Sequence, residues 1–298
     1  MNYVFFGTPE FAAIILQGLI TSGFPPVLVI TNPDMPKGRK KEITPPPAKI
    51  IATKSKIPVF QPHKISQTEL SEKIKGAQFA IVAAYSKILP KEILEFFPNG
   101  VIGVHPSLLP QYRGASPIQG TILNGETTTG VTLFMTDKKV DHGPIIAQQK
   151  FQISNFPAKP DPALPDKFQK INPTYLELHD MLAKIAGNLL IEILPKFVRH
   201  EITPKEQNHT EATFTKKFVG EDGYIDLNDI IKAETNGGEI ALFIDRKIRA
   251  LNPEPGTWTK KEGKRLKLLS SYLKNGKLVL AEIQWEGQKP KTNNLLIQ

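Results

Sequence analysis

The sequence predicts an α/β protein with a Rossmann-like, doubly wound and mostly parallel sheet, followed by a smaller C-terminal β-barrel of the OB-like kind. Three observations lead to this prediction. Short apolar runs alternate with helical patterns over the first half of the chain, as in a parallel sheet crossed by helices. The C-terminal part alternates apolar and polar residues on either side of Asn275-Gly276, a pair typical of tight hairpin turns. The length of 298 residues accommodates two domains.

The first 151 residues contain seven candidate strands and five candidate helices. The apolar runs that predict strands are residues 3–6, 27–31, 59–60, 79–84, 101–104, 131–135 and 145–151. Apolar positions three and four residues apart predict helices over residues 9–22, 47–55, 67–75, 91–96 and 117–123. Pro9 and Pro117 stand in the first turn of their helices, where proline is tolerated.

The remainder of the chain divides by composition. A proline-rich stretch at residues 155–165 is not compatible with regular structure, and an apolar stripe then predicts a helix over 174–198 with a kink at Pro195. The polar residues that follow are typical of a linker. We therefore expect three regions: a catalytic domain at 1–198, a linker at 199–211 and a C-terminal barrel at 212–298.

Composition excludes several classes of function. The chain contains no cysteine, which rules out disulfides, thiolate zinc sites and cysteine nucleophiles. No apolar run approaches the roughly 20 residues of a membrane span, and the first residues show no targeting signal. We expect a cytoplasmic protein without a membrane partner.

The positive charge is concentrated in two clusters. The formal net charge is +9, which suggests an anionic partner but would also fit a uniformly basic surface. One cluster is Lys37-Gly38-Arg39-Lys40-Lys41, and the other spans residues 246–291, where twelve Lys or Arg residues face four Glu. Such a run is often only a solvated surface, whereas contact with a nucleic-acid backbone is the functional alternative.

His105 and Asp141 are the candidate catalytic pair. His105 follows the predicted strand 101–104, and Asp141 lies in the loop after the predicted strand 131–135. Reactive groups in α/β proteins collect at such strand ends, so the two side chains meet if the strands are neighbours. A histidine beside a carboxylate can act as a general base near neutral pH. A histidine that only forms a structural hydrogen bond is the alternative. No serine elbow or zinc-ligand spacing competes with this pair, and we expect no metal.

Several motifs resemble the folate-dependent formyltransferase superfamily. They include Gly-Val-His-Pro-Ser-Leu-Leu-Pro-Gln-Tyr-Arg-Gly at 103–114, Val-Asp-His-Gly-Pro at 140–144 and Val-Phe-Phe-Gly-Thr-Pro-Glu-Phe at 4–11. Together with Arg-Ala-Leu-Asn-Pro-Glu-Pro-Gly-Thr-Trp at 249–258, they are most similar to the members that act on methionyl-tRNA. The resemblance implies transfer of a formyl group from the co-substrate 10-formyltetrahydrofolate to the α-amino group of methionyl initiator tRNA. We expect a monomer.

The resemblance also implies which residues form the site. His105 is assigned polarisation or proton transfer, Asp141 orients it, and Gly103 occupies a third catalytic position. Residues expected to line the folate pocket are Lys87, Ile88, Leu89, Ser107, Leu108, Leu109, Pro110 and Val140. Residues expected to contact tRNA are Lys37, Arg39, Lys40, Lys41, Arg246, Lys247, Arg249 and Lys261.

Gly103 departs from the superfamily pattern, which has an asparagine two residues before the histidine. The asparagine amide would donate to the oxyanion that develops on the formyl group, and losing one such donor typically costs about 2.7–4 kcal/mol. A water, another side chain or reduced activity would each account for the glycine.

Two other functions fit the same motifs. An amino-sugar N-formyltransferase shares the His-x-Ser-Leu-Leu-Pro pattern, although the basic second domain and residues 37–41 favour tRNA. The glycinamide ribonucleotide enzyme shares the site but has no C-terminal domain. The remaining alternative is a tRNA-binding homologue weakened by the glycine.

Overall fold

A computed structural model describes residues 1–38, 41–64, 66–74, 76–153 and 172–292. In chain order, the elements are β1 (Tyr3–Gly7), α1 (Glu10–Thr21), β2 (Leu28–Ile30), β3 (Met35–Lys37), β4 (Glu42–Thr44), α2 (Pro47–Lys54), β5 (Val59–Phe60), α3 (Gln67–Lys73), β6 (Phe79–Ala83), α4 (Lys91–Leu94), β7 (Val101–His105), β8 (Arg113–Gly114), α5 (Pro117–Asn124), β9 (Thr128–Met135), β10 (Ile145–Gln152), α6 (Tyr175–Val198), β11 (Phe214–Thr215), α7 (Leu227–Thr235), α8 (Glu239–Leu251), β12 (Thr257–Lys261), β13 (Lys264–Lys274), β14 (Lys277–Trp285) and β15 (Lys291–Thr292).

The chain forms two compact units, each assembled from several segments. The first contains Met1–Arg113, Gly130–Lys150 and His179–Phe214, and the second contains Gly114–Thr129, Phe151–Leu178 and Thr215–Gln298. The proposed limits of independently folding domains, 1–198 and 212–298, stay a prediction.

The first unit is built on a mostly parallel sheet, as predicted. Its seven strands lie in the order β10-β9-β7-β6-β1-β2-β5. β1 pairs in parallel with β2 and β6, whereas β7 pairs antiparallel with β9. All five residues of β1 are buried, as expected for a parallel strand covered on both faces. The strand limits differ from the predicted ones by a few residues, and His105 is the last residue of β7 rather than the first residue after it.

Proline positions agree with the helix starts. Pro9 precedes α1, while Pro47 and Pro117 are the first residues of α2 and α5. α1 buries Phe11, Ile15 and Leu19 at helical spacing. Pro195 lies in the last turn of α6, and the kink expected there stays a prediction. The proline-rich stretch 155–165 lies outside the described residues.

Lys37, the first residue of the first basic cluster, lies on a hairpin that was not predicted from the sequence. Strands β3 and β4 pair antiparallel, with Lys37 opposite Glu42. Directly before β3 in the chain, Asp34 accepts hydrogen bonds from Lys49 Nζ at 2.8 and 2.7 Å and from Gln61 Nε2 at 2.8 Å. The hydrogen bond from Gln61 is the largest single cause that holds the pKa of Asp34 below its usual value, and the hydrogen bond and charge of Lys49 lower this pKa further. Lys49 and Gln61 therefore fix the residue from which the hairpin begins.

The second unit contains an antiparallel sheet in the order β12-β13-β14-β15. Its core includes Ile230 of α7, Ile244 of α8 and Leu268 and Leu280 of the sheet. Asn275 and Gly276, both with positive φ, connect β13 to β14, which confirms the predicted hairpin. The sequence predicts a barrel, but the described strands form a sheet with β12 and β15 at its edges and with helices α7 and α8 packed on it.

Candidate active site

The structure brings His105 and Asp141 together at the carboxyl end of β7. Asp141 lies in the loop between β9 and β10. Because β9 is antiparallel to β7, it ends with Met135 opposite Ile102, and His105 lies opposite Thr132. His105 Nδ1 lies 3.5 Å from Asp141 Oδ2, and the side chains are 7% and 18% exposed. The pair is therefore close and largely shielded from water, and Asp141 is the more exposed of the two.

The carbonyl of Tyr112 orients the imidazole. His105 Nε2 lies 2.8 Å from Tyr112 O, and since a carbonyl only accepts hydrogen bonds, Nε2 must carry the hydrogen. In the neutral ring Nδ1 is then an acceptor, and it faces Asp141. Tyr112 O is thus a second group that orients the imidazole, and the orienting role expected of Asp141 stays a prediction.

The loop that carries Asp141 has an unusual backbone. Asp141 has φ 48°, in the left-handed region that side-chain-bearing residues seldom adopt. Two residues later, a Cβ on Gly143 would lie 1.9 Å from the carbonyl oxygen of Met135, so only glycine fits this close approach. The turn therefore returns tightly to the end of β9 and presents Asp141 at its outer bend.

Phe134 and Thr136 occupy the space beside Gly103. A Cβ on Gly103 would lie 2.4 Å from Cε1 and Cζ of Phe134 and 3.0 Å from Thr136 Oγ1. Phe134 is 4% exposed. Thr136 Oγ1 is buried and has no hydrogen-bond partner among the described residues. The glycine therefore makes room for an aromatic ring, and a buried hydroxyl without a partner lies next to it.

Side chains hold the segment from Ser107 to Pro110 in place through hydrogen bonds to its backbone. Thr132 Oγ1 donates to Ser107 O at 2.7 Å and accepts from Leu109 N at 3.0 Å. Gln148 Nε2 donates to Leu109 O at 2.8 Å, and Ser107 Oγ donates to Gln111 O at 2.6 Å. These bonds make the segment a preformed wall.

The other residues expected at the folate pocket divide into exposed and internal ones. Ile88 and Val140 are 88% and 62% exposed, which leaves both apolar side chains open to a ligand. Leu89 is buried in the core of the sheet with Tyr85. Lys87 Nζ donates to the carbonyl oxygens of Pro62 and His63 at 2.6 and 3.0 Å, so it joins two loops.

A cluster of polar side chains around the buried Arg113 and Gln207, which includes the exposed His209, was not predicted from the sequence. Arg113 Nη2 lies 2.6 Å from Gln207 Oε1 and 2.9 Å from His209 Nδ1. The His209 ring stacks on His142 with centroids 4.0 Å apart. Gln207 and His209 belong to the polar stretch interpreted as a linker, where nothing distinguishes them from their neighbours. Arg113 is the one residue of the cluster that belongs to the motif at 103–114, so it alone could have been identified from the sequence.

The cluster predicts a dependence of stability on pH. Desolvation lowers the pKa of His209 below its ordinary value of 6.5, and charge on His142, Arg113 and Lys139 lowers it further. The folded state thus binds fewer protons at this site than the unfolded state, and stability falls as the pH drops below about 6.5. Urea unfolding at pH 7 and pH 5 should show a smaller loss for His209→Gln than for the wild type. Equal losses would show that His209 does not couple folding to pH.

The residues expected at the tRNA surface have different environments. Lys37 and Lys41 are exposed on the β3–β4 hairpin, while Arg39 and Lys40 lie outside the described residues. Arg249 is not available at the surface: its Nε lies 2.8 Å from Asp245 Oδ2, and its Nη1 donates to Pro173 O at 3.0 Å. The two side chains of that ion pair are only 10% and 7% exposed, so Arg249 stabilises its own unit.

The other cations of the second unit are partly engaged. Arg246 lies against Gly125, where a Cβ would stand 2.1 Å from the guanidinium carbon. Lys247 Nζ donates to Tyr224 O at 2.7 Å, and desolvation lowers the pKa of this lysine.

The turn between β12 and β13 carries Lys261, which was expected to contact tRNA, together with three other cations of the second basic cluster. The register places Lys260 opposite Arg265 and Lys261 opposite Lys264. Like charges directly opposite on neighbouring strands are destabilising, and an anion bound at the turn would relieve that repulsion.

Two features are absent from the described part of the chain. No group of three or more His, Cys, Asp or Glu residues there could hold a metal ion. No described helix is long and apolar enough to cross a membrane.

Two family models match the chain. The formyl transferase model matches residues 1–176, and the model of the formyl transferase C-terminal domain matches residues 239–279. The sheet with its His–Asp pair and the domain after it thus define the class of the protein, a formyl transferase. The methionyl-tRNA formyltransferase of Chloroflexus aurantiacus is 37% identical over 91% of this chain and 80% of its own length. The chain belongs to the methionyl-tRNA formyltransferase family.

Solved structures share the fold. The N-formyltransferase from Helicobacter canadensis, solved with folinic acid and dTDP-3-aminofucose, has a TM-score of 0.63 and 19% identity, covering 98% of this chain and 99% of its own. The methionyl-tRNA formyltransferase from Clostridium thermocellum has a TM-score of 0.55 and 19% identity, covering 96% and 98%. At these identities the likeness concerns the fold alone.

Proposed function

We propose that the protein transfers the formyl group of 10-formyltetrahydrofolate to the α-amino group of methionine esterified to initiator tRNA. The observation that carries this proposal is the 37% identity with a methionyl-tRNA formyltransferase over 91% of the chain. That alignment includes residues of the C-terminal domain as well as the His–Asp site. The proposal includes action in the cytoplasm as a monomer.

His105 moves the proton in this reaction. The amine nitrogen attacks the formyl carbon, and the bond from that carbon to N10 of the folate breaks, so the amine loses one proton and N10 gains one. Nδ1 of His105 accepts the amine proton, directly or through a water, because Nε2 already carries a hydrogen. The resulting imidazolium lies 3.5 Å from the Asp141 carboxylate, which stabilises it until the proton passes to N10.

Thr136 supplies the hydrogen-bond donor that Gly103 cannot. The oxyanion formed on the formyl oxygen needs a donor in a site shielded from water. A buried hydroxyl without a partner is unusual in a native structure, and a ligand is one way to satisfy it. Thr136 Oγ1 lies beside the position from which an asparagine at residue 103 would extend.

The folate lies against the preformed wall from Ser107 to Pro110. The exposed apolar side chains of Ile88 and Val140 cover its rings, where their burial stabilises the complex. Leu89 and Lys87 act indirectly, because the first is core and the second ties the loop after β6 to the loop after β5.

Cations on the two units contact the tRNA backbone. Lys37 and Lys41 of the β3–β4 hairpin, together with Arg39 and Lys40, form one set. The β12–β13 turn adds Lys261 and its neighbours, whose mutual repulsion a phosphate group would relieve. Lys247 and Arg246 contribute less, since both already have partners within the protein.

The test is a formyl-transfer assay on the full chain with 10-formyltetrahydrofolate. Methionyl initiator tRNA is compared with a nucleotide-linked amino sugar as acceptor, and we expect turnover only with the tRNA. Preference for the amino sugar would overturn the proposal. Binding of tRNA without single-turnover formylation would identify a homologue that has lost catalysis.

A further inference from the structure

The segment Lys205–Thr213, here named the support segment, contacts both loops that carry the catalytic pair. It follows α6 and begins with a β-bridge between Lys205 and Ile145, whose N–O distances are 2.7 and 2.8 Å. Within the described part of the first unit, its Gln207 binds the loop of Asp141, and its Thr213 binds the loop of Tyr112. The polarity of its sequence therefore reflects hydrogen bonding to the site.

Gln207 uses its whole amide group. Nε2 donates to Asp141 O at 3.0 Å and to Gly143 O at 2.7 Å, on either side of the tight turn. Oε1 accepts from Nε and Nη2 of Arg113 at 3.2 and 2.6 Å. An amide has two donors and two acceptor sites, so all four are satisfied.

The orientation of this amide is unambiguous. A flip would place its NH2 group against the Arg113 guanidinium, which only donates, and its oxygen against two carbonyls, which only accept. Gln207 and Arg113 are 4% and 3% exposed, so water could not compensate for such a mismatch. The cluster therefore has one stable arrangement, and it fixes the backbone at Asp141.

Thr213 acts on the other half of the pair. Its Oγ1 accepts from Tyr112 N at 2.8 Å, and its carbonyl accepts from Arg113 N at 2.9 Å. Its own N–H donates to Pro110 O at 3.3 Å. Tyr112, which these bonds hold at φ 59°, supplies the carbonyl that orients His105.

We propose that Gln207 and Thr213 are positioning residues that set the separation between His105 Nδ1 and the Asp141 carboxylate. The inference rests on the proposed function, in which His105 takes up a proton beside the Asp141 carboxylate. The rate of that step depends on the distance between the two groups. Neither residue touches substrate. Displacing either loop by about 1 Å would cost up to about 100-fold in rate, as misplaced groups do in well-ordered sites.

The key variant is Gln207→Glu, which preserves size. A carboxylate still accepts from Arg113 but cannot donate to the carbonyls of Asp141 and Gly143, so it releases only the catalytic loop. We expect kcat to fall on the order of tenfold to 100-fold, with KM for both substrates within about twofold of the wild type. Gln149→Glu makes the same charge change at an exposed residue of β10 and should leave kcat unchanged.

Thr213→Val tests the second contact without changing shape. It removes the acceptor for Tyr112 N, and we expect a smaller fall in kcat, again at unchanged KM. Thr213→Ser keeps the hydroxyl and should restore the rate, which a purely steric role would not predict.

A measurement that needs no acceptor substrate separates this inference from the proposed function. Nitrogen-15 NMR of the histidines should show His105 as the Nε2–H tautomer in the wild type, and a mixture of tautomers in Thr213→Val. A wild type with that tautomer but no formylation of methionyl-tRNA would overturn the proposed function alone. Wild-type kcat in Gln207→Glu, or an unchanged tautomer in Thr213→Val, would overturn the positioning role.

Discussion

Replacing His105 with asparagine is expected to lower the rate of formyl transfer by about 1,000-fold, within the range for loss of a general base. Asparagine is polar and smaller than histidine, so it fits the buried position at the end of β7 without disturbing the strand. It has no group that takes up a proton near neutral pH, so the amine proton would have no acceptor beside Asp141. Single-turnover formylation measures this step directly.

The affinity for tRNA should remain close to that of the wild type in the same variant. The exposed cations of the β3–β4 hairpin and the β12–β13 turn are unchanged. His200→Asn, at an exposed histidine with φ 58°, is the matched control, because asparagine tolerates that backbone conformation. Full activity in His105→Asn would refute proton transfer by this residue, and equal losses in both variants would point to a general effect of removing a histidine.

Replacing Thr136 with valine is expected to lower kcat by about 100- to 1,000-fold, the usual cost of one lost oxyanion donor. Valine has the shape of threonine, and the hydroxyl has no partner within the described protein, so stability should be unchanged or slightly increased. Thr136→Ser retains the donor and should recover most of the rate. A Thr136→Val enzyme with wild-type kcat would show that the oxyanion is stabilised by another group.

Gly103 offers an independent check of the same donor. Asparagine at 103 would clash with Phe134, so Gly103→Asn alone should cost about 1–3 kcal/mol in stability, typical of overpacking. Adding Phe134→Leu removes the ring and gives the amide room. In that double variant Thr136→Val should cost much less activity than it does in the wild type, because the amide then donates. If Thr136→Val lowers kcat by the same factor in the double variant as in the wild type, the asparagine amide and the Thr136 hydroxyl act separately.

The sequence predicts those strands and helices that show a regular pattern or a continuous run of apolar residues. β1 is visible as a continuous apolar run because both of its faces are buried. Asn275-Gly276 marks the turn of the hairpin in the second unit. The predicted strand limits differ from the observed ones by a few residues, because a strand ends where its hydrogen bonds to the neighbouring strand end. Composition does not show that point. The β3–β4 hairpin was missed because its exposed strands have no buried face and so no apolar alternation.

The site was only partly visible in the sequence. Motif resemblance located His105 and Asp141, but the acceptor of the hydrogen bond from His105 Nε2 is the backbone carbonyl of Tyr112, which no side-chain pattern reveals. The positive φ of Asp141 and Tyr112 is set by contacts far apart in the chain, such as that between Thr213 and Tyr112. Arg249 was misassigned because charge alone does not show that Asp245, one helical turn earlier, pairs with it.

The support segment changes where the chain can be divided. The polarity of residues 199–211 indicates a linker at which the chain could be divided. A catalytic fragment that ends within this linker would keep every motif residue from His105 to Asp141. It would also lose Thr213, and a cut before 207 would lose Gln207 as well, leaving Asp141 and Tyr112 without the bonds that hold their backbones. The positioning role proposed for Thr213 therefore requires a catalytic fragment to extend at least through this residue.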